Sequence, residues 1–176
     1  DYSGFHIAAS HSDSPTLKIK ESSEMNIENQ YVKLNVEKYG GMLCAPWFDR
    51  PLSVAGRIIV KDGNRLTTKL INVDRDLLMI PNLAIHMNRE VNDGYKYNIQ
   101  KDMLPLYRMS NSGKAFKEMI AEEAGVSVDQ IKGMDLFLYN RMEGTVWGCD
   151  GEFISAPRLD DLQCAFTSTM ALLNSE

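Results

Sequence analysis

The chain has 176 residues, 44% hydrophobic and 24% charged, and its 19 basic against 24 acidic side chains give a formal net charge of −5. This composition is too apolar for a disordered chain and not basic enough for a general nucleic-acid binder, and no stretch approaches the roughly 20 apolar residues of a membrane helix. We therefore expect neither a nucleic-acid nor a membrane partner. The three cysteines are far apart in the sequence, which favours a reducing, cytoplasmic compartment.

The first half of the chain is predicted to be rich in strands. Residues 4–9 form an apolar run typical of a buried strand, and residues 16–20 and 31–36 alternate between apolar and polar side chains, as half-exposed strands do. Residues 57–61 and 65–71 are β-rich and flank an Asp-Gly turn, a pattern that predicts a hairpin.

The second half is predicted to contain the helices. The polar residues 88–111 indicate a long loop, after which Ser112 can cap a helix over residues 113–124 and Ser127 a shorter one. Residues 134–139 and 144–148 are predicted as strands, and residues 159–173 as the last helix.

These elements predict an α+β fold with an inserted domain. We expect a strand-rich insertion over about residues 22–150, with residues 1–21 and 151–176 supplying pieces of an α/β domain. The chain opens on Asp1, has no Met before Met25 and ends in a helical pattern without a stop signal. We therefore expect a piece of a longer protein.

The first candidate site is the segment Ser-His-Ser-Asp-Ser-Pro, which directly follows the first predicted strand. In extended backbone, residues i and i+2 face the same side, so His11 can offer an imidazole nitrogen while Asp13 orients it. Metal-binding histidines usually need such a partner. His-x-Asp is a weak pattern by itself, and an incidental pair on a surface loop is the alternative.

The second candidate site is the acidic pair Asp160 and Asp161. Pro157 precedes the predicted helix, so the pair falls near the helix start, where carboxylates are favoured by the helix dipole. Capping of the helix is one interpretation. The other is a carboxylate that bridges two metal ions.

Four ordered blocks of sequence resemble the aspartyl aminopeptidases, a family of co-catalytic zinc exopeptidases. The blocks span nearly the whole chain, which makes them far more specific together than any one alone. They are Gly-Phe-His-Ile with Ser-His-Ser-Asp-Ser-Pro in residues 4–15, Tyr-Gly-Gly-Met-Leu continued by Trp-Phe-Asp-Arg-Pro-Leu-Ser-Val-Ala-Gly-Arg in residues 39–57, Ile-Pro-Asn-Leu-Ala-Ile-His-Met-Asn-Arg in residues 80–89, and Glu-Phe-Ile-Ser-Ala-Pro-Arg-Leu-Asp-Asp in residues 152–161.

The resemblance implies roles for particular residues. His11 corresponds to a zinc ligand, Asp160 to the carboxylate that bridges two zinc ions, and Asp13 to the catalytic carboxylate that orients the site. His86 lies in the inserted domain, where the matching histidine of the family reaches a neighbouring subunit's active site and helps to hold substrate.

The resemblance also implies a function and an assembly. The family removes N-terminal residues, typically Asp or Glu, from peptides by means of metal-activated water. Its inserted domain serves as a dimerisation and lid domain, and its dimers build homo-oligomeric shells, which implies a dodecamer for the complete enzyme.

The sequence departs from the family after Asp160. The family's Glu-Glu pair, a further acidic ligand and a final histidine come later than any residue of this chain, so we expect the 176 residues alone to be inactive. Glu122 and Glu123 precede Asp160 and fit a solvated helical face instead. Two alternatives stay open: a non-catalytic assembly module, and a related zinc aminopeptidase or deacylase with a different insertion.

Overall fold

The computed structural model describes residues 3–175, which divide into two compact units. Unit 2 is the continuous stretch Thr16–Arg141, and unit 1 comprises the described residues up to Pro15 and from Met142 onward. The unit boundaries thus fall several residues before the expected positions of about 22 and 150. The first boundary is early because the strand that starts at Thr16 already pairs within the sheet of unit 2.

Unit 2 contains six strands and two helices. They are β1 (Thr16–Ile27), β2 (Tyr31–Tyr39), β3 (Leu52–Asp62), β4 (Arg65–Asn72), α1 (Ile99–Asp102), β5 (Leu106–Met109), α2 (Phe116–Ala124) and β6 (Ile131–Asn140), with single 3-10 turns at Ala45–Trp47 and Val128–Gln130. The strands form one antiparallel sheet in the order β4-β3-β6-β1-β2-β5. The first and last long strands, β1 and β6, are neighbours in the middle of the sheet.

Unit 1 contains a short hairpin and one long helix among its described residues. Strand β7 (Thr145–Trp147) pairs antiparallel with β8 (Phe153–Ser155), and α3 (Leu159–Leu173) comes next. The helix bounds match the sequence prediction. None of the helices within residues 3–175 is long and apolar enough to cross a membrane.

The core of unit 2 lies between one face of the sheet and α2. Alternate residues of each central strand point into it, which is why the predicted strands show a two-residue apolar period. Helix α2 contributes the buried side chains of Phe116, Met119 and Ile120. Fully buried strand residues of this core include Leu17, Leu34, Val36, Val54, Ile58 and Leu136. The expected α+β class is confirmed.

The predicted hairpin is confirmed, and the predicted long loop is wrong in part. Strands β3 and β4 pair around Gly63, whose φ of +57 suits glycine. Residues 88–111, however, include α1 and β5. Strand β5 forms because Val32 of the neighbouring strand β2 pairs with Arg108, and local polarity gives no sign of such a distant partner.

Helix α2 begins later than its predicted cap. Ser112 does not cap it, because the helix starts at Phe116. Instead, Glu118 accepts a hydrogen bond from the Ala115 N–H at 3.0 Å, and Glu24 of β1 accepts one from the Phe116 N–H at 2.8 Å. The first turn is thus satisfied by carboxylates, which also complement the helix dipole.

The prediction of a strand over residues 4–9 is wrong. The described residues 3–15 contain no regular secondary structure, and Phe5 and Ile7 are 81% and 86% exposed. An apolar run becomes a strand only when a neighbouring strand satisfies its backbone groups, and no strand in residues 3–175 pairs with this run.

The outer face of the sheet carries an ion-pair cluster that makes stability depend on pH. Asp135 lies 2.9 Å from Lys18 Nζ and 3.2 Å from Arg57 Nε, and its pKa is lowered, chiefly by the hydrogen bond from Lys18. The folded state therefore binds fewer protons at this carboxylate than the unfolded chain does. Its stabilisation is present above the unfolded pKa of about 3.9 and is lost as the pH falls through the lowered folded pKa.

We expect acid to lower the urea midpoint of unfolding, and the Asp135→Asn substitution to reduce the difference between the midpoints at pH 3 and pH 7. The physical reason is that an asparagine side chain at this position titrates in neither the folded nor the unfolded state. Urea titrations of both proteins at the two pH values measure this. An undiminished acid shift in the variant would assign the effect to other carboxylates.

Candidate metal centre

Two separate stretches of unit 1 bring three metal-ligating side chains together. His11 comes from the irregular segment before unit 2, whereas Asp160 and Asp161 come from the start of α3. One potential ligand atom from each residue lies within 4.8 Å of the others. The sequence predicts His11 and Asp160 in one site, and the structure places them in one cluster.

The start of α3 presents its carboxylates because its backbone is not yet helical there. Asp160 has φ −91 and ψ 107, and Asp161 has φ −123 and ψ 18. Ser14 Oγ donates a hydrogen bond to the Asp160 carbonyl at 3.5 Å. This contact ties the segment that carries His11 to the start of the helix.

Both nitrogens of the His11 ring face oxygen atoms. Nδ1 lies 3.2 Å from the carbonyl of Asp13 and 3.4 Å from its carboxylate, and Nε2 lies 3.0 Å from Asp161 Oδ2. If Nδ1 carries the ring hydrogen toward Asp13, the lone pair of Nε2 faces a carboxylate. That arrangement is favourable when a cation is shared between them, whether a proton or a metal ion.

Asp161 is the residue that sequence reasoning undervalued. It is 7% exposed and is the only buried charged residue within residues 3–175, whereas Asp160 is exposed. A buried carboxylate needs a positive or hydrogen-bonding partner: the Cys164 thiol donates a hydrogen bond to Asp161, and a cation shared with His11 Nε2, 3.0 Å away, would supply the positive charge. A hydrogen bond to Asp161 also raises the pKa of the Cys164 thiol. The available signal was the pair of adjacent aspartates at a helix start.

The other candidate residues lie in unit 2. His86 is exposed, in a turn closed by the hydrogen bond from Met87 N–H to the Ala84 carbonyl. Glu122 and Glu123 lie on α2, where Glu122 pairs with Lys114 and Glu123 with Arg75. Lys114 also lowers the pKa of Glu122. These two glutamates therefore form a solvated, ion-paired face of α2.

The donor set of the cluster suits zinc. Zinc in proteins takes imidazole nitrogen and carboxylate oxygen, with four ligands at structural sites and three plus water at catalytic ones. The cluster offers one imidazole and two carboxylates, and Asp13 stands behind the imidazole as an orienting partner. It therefore provides a partial ligand set for a zinc centre.

Comparison with protein families matches residues 1–176 to the family described as aminopeptidase I zinc metalloprotease (M18). Among curated proteins, a probable M18 family aminopeptidase 2 from Clostridium acetobutylicum is 48% identical over 98% of this chain. The match covers 41% of that relative, so the chain spans less than half the length of the protein it resembles.

Solved structures agree with the sequence comparison. The structure of mApe1 from Chaetomium thermophilum is 34% identical, with a TM-score of 0.79 over 94% of this chain and 41% of that one. The S. cerevisiae mApe1 dodecamer is 27% identical, with a TM-score of 0.73 over 93% of this chain and 37% of that one.

Proposed function

The chain belongs to the aminopeptidase I zinc metalloprotease (M18) family, and we propose that it supplies part of the metal centre of a zinc aminopeptidase. The observation that carries the proposal is the cluster of His11, Asp160 and Asp161 within 4.8 Å. Two members of this cluster, His11 and Asp160, occupy the positions at which the family resemblance implies zinc ligands.

In this proposal the chain's own residues bind and orient the metal. His11 would hold zinc through Nε2, and Asp160 would supply the carboxylate that the family resemblance implies for two zinc ions in the complete site. Asp13 accepts the Nδ1–H of His11, which fixes the ring and directs Nε2 into the cluster. When bound, zinc would supply a Lewis acid that activates water and polarises the scissile carbonyl.

The proposed substrate is a peptide with an acidic N-terminal residue. The family resemblance supports this preference, and His86 is the residue of this chain that we assign to substrate recognition. Its side chain is exposed in unit 2, so it is accessible to a neighbouring subunit, as the resemblance implies.

We assign unit 2 to the inserted dimerisation and lid domain. In support, unit 2 is continuous in sequence, has a core of its own and separates the two stretches of unit 1 along the chain. The S. cerevisiae relative is a dodecamer, which favours a homo-oligomer here too. The three free cysteines suit a cytoplasmic location.

The chain alone is proposed to be inactive. Three donors are too few for two zinc ions that each take about four ligands, and a glutamate to act as general base is not among them. Under the alternative of an assembly module, the same polypeptide would use unit 2 to form dimers without any chemistry. The independent core of unit 2 favours keeping this alternative.

The test measures peptidase activity of a full-length protein that contains this chain and of the 176-residue chain alone, which we expect to be inactive. We expect the full-length protein to hydrolyse L-aspartyl p-nitroanilide at least about tenfold faster than the leucyl analogue, by differential pocket binding. Removal of zinc with 1,10-phenanthroline should abolish this activity, and added zinc should restore it. Chelator-resistant turnover would contradict the metal mechanism, and a leucyl preference would contradict the acidic specificity.

Native mass spectrometry of the 19.9 kDa chain tests the expectation that further ligands are required. We expect a metal-free chain, and metal-free dimers would support dimer formation by unit 2 in the isolated chain. Two zinc ions on each chain would contradict the expectation that further ligands are required.

A further inference from the structure

Unit 2 contains a pocket of about 370 Å³ that shares no residue with the metal cluster. Its floor is the outward face of β2, where Tyr31 and Lys33 alternate with buried residues. Its remaining walls come mainly from Phe48 and from residues between 81 and 106. All of its lining residues belong to unit 2.

Aromatic rings form much of the pocket wall. Phe48 and Tyr97 lie with ring centroids 4.9 Å apart, and Tyr95 meets Tyr97 edge to face at 5.3 Å. Leu83 and Leu106 add aliphatic surface. Packed rings of this kind are rigid and favour an apolar or aromatic group as the occupant.

The net charge of the pocket lining is positive, because it holds Lys33 and Lys101 against one carboxylate, Asp102. Asp102 is already held by the Asn98 N–H at 2.6 Å and the Tyr95 hydroxyl at 3.3 Å. Lys33 and Lys101 have no carboxylate within salt-bridge distance in residues 3–175; Lys33 only lies over the Tyr31 ring, 6.0 Å from its centroid. Two ammonium groups beside an apolar wall suit a carboxylate attached to an apolar body.

Carboxamides complete the lining. Asn82 and Asn88 both line the pocket, and the side-chain oxygen of Asn82 is fixed by the Leu83 N–H at 3.0 Å. A carboxamide can donate to or accept from a peptide group. The lining thus offers partners for a side chain, a carboxylate and an amide at once.

We propose that this pocket binds the C-terminal residue of a peptide whose last side chain is aromatic or apolar. The side chain packs against Tyr97 and Phe48, the carboxylate pairs with Lys33 and Lys101, and the peptide amide meets the asparagines. The pocket shares no residue with the metal cluster, and His86 is not among its lining residues.

Isothermal titration calorimetry with N-acetyl-L-phenylalanine on the full-length protein tests the proposal. This probe has no free amine, so it is not an aminopeptidase substrate. We expect saturable binding with a Kd below about 1 mM. N-acetyl-L-phenylalaninamide, which lacks the carboxylate charge, should bind at least about tenfold more weakly. No saturation by about 5 mM, or equal affinity of acid and amide, would overturn the proposal.

Variants locate the binding and separate it from zinc. Lys101 is exposed, and Lys101→Met should weaken binding of the acid severalfold. The double variant that also carries Lys33→Met should weaken it at least about tenfold. As a control, Lys132→Met on β6 should have no effect. His11→Ala should leave the affinity unchanged, and loss of binding in this variant would assign the probe to the metal centre instead. If 3-phenylpropionate bound as tightly as the amide-bearing acid, the peptide assignment would be wrong.

Discussion

Replacing His11 by Ala is expected to lower kcat/KM of the full-length protein by about 10³-fold or more, because the change removes the proposed metal ligand itself rather than an outer partner of one. His11 Nε2 lies 3.0 Å from the buried carboxylate of Asp161. Without the imidazole, the cluster loses its nitrogen donor. The zinc content, measured by plasma emission spectrometry, should fall together with the activity.

Two other histidines provide matched comparisons. His6 is exposed in the same segment, so His6→Ala should leave both zinc content and turnover intact. His86→Ala should reduce turnover while the zinc content stays unchanged, because His86 is assigned to substrate. Unchanged turnover in His11→Ala would refute its role as a ligand, and loss of zinc in His86→Ala would refute the assignment of His86.

The largest expected effect on stability is that of Leu136→Ala. We expect this substitution to lower the free energy of unfolding by about 3 kcal/mol, within the usual range for a buried Leu. Leu136 is fully buried in β6, between β3 and β1. Truncation leaves a cavity that rigid neighbouring strands fill only in part. Hydrogen exchange of the β3 and β6 amides measures the free energy of opening within unit 2.

Leu70 is the matched control for Leu136. It is also a strand leucine, but it lies on the edge strand β4 and is 85% exposed. We expect Leu70→Ala to change the opening free energy by less than about 0.5 kcal/mol. Equal costs at the two positions would mean that the core of unit 2 does not lie where the burial places it.

Local signals predicted those elements whose partners are close in sequence. The β3–β4 hairpin is predicted by two β-rich runs around Asp-Gly, and α3 by its periodicity over residues 159–173. Strand β5 was not predicted because it forms only by pairing with β2, a strand far earlier in the chain. The strand predicted over residues 4–9 is wrong because its apolar pattern pairs with no strand among residues 3–175.

The candidate site was predicted in part for a similar reason. His11, Asp13 and Asp160 could be named from motif and resemblance, and the structure groups His11 with Asp160. The importance of Asp161 could not be read from the sequence, because a second aspartate at a helix start is equally typical of capping. Its burial against His11 Nε2 is the observation that favours the metal interpretation.

The adjacency of β1 and β6 has a consequence for the order of folding. Thr16 Oγ1 donates a hydrogen bond to the Leu138 carbonyl at 2.6 Å, and Lys18 pairs with Phe137. The two ends of unit 2 therefore meet in the middle of its sheet, although they are separated by nearly the whole length of the unit. Closing so long a loop is slow. Ribosomal synthesis must reach β6 before the sheet can close, and because α3 follows β6 in the chain, the aspartates that meet His11 are made later still.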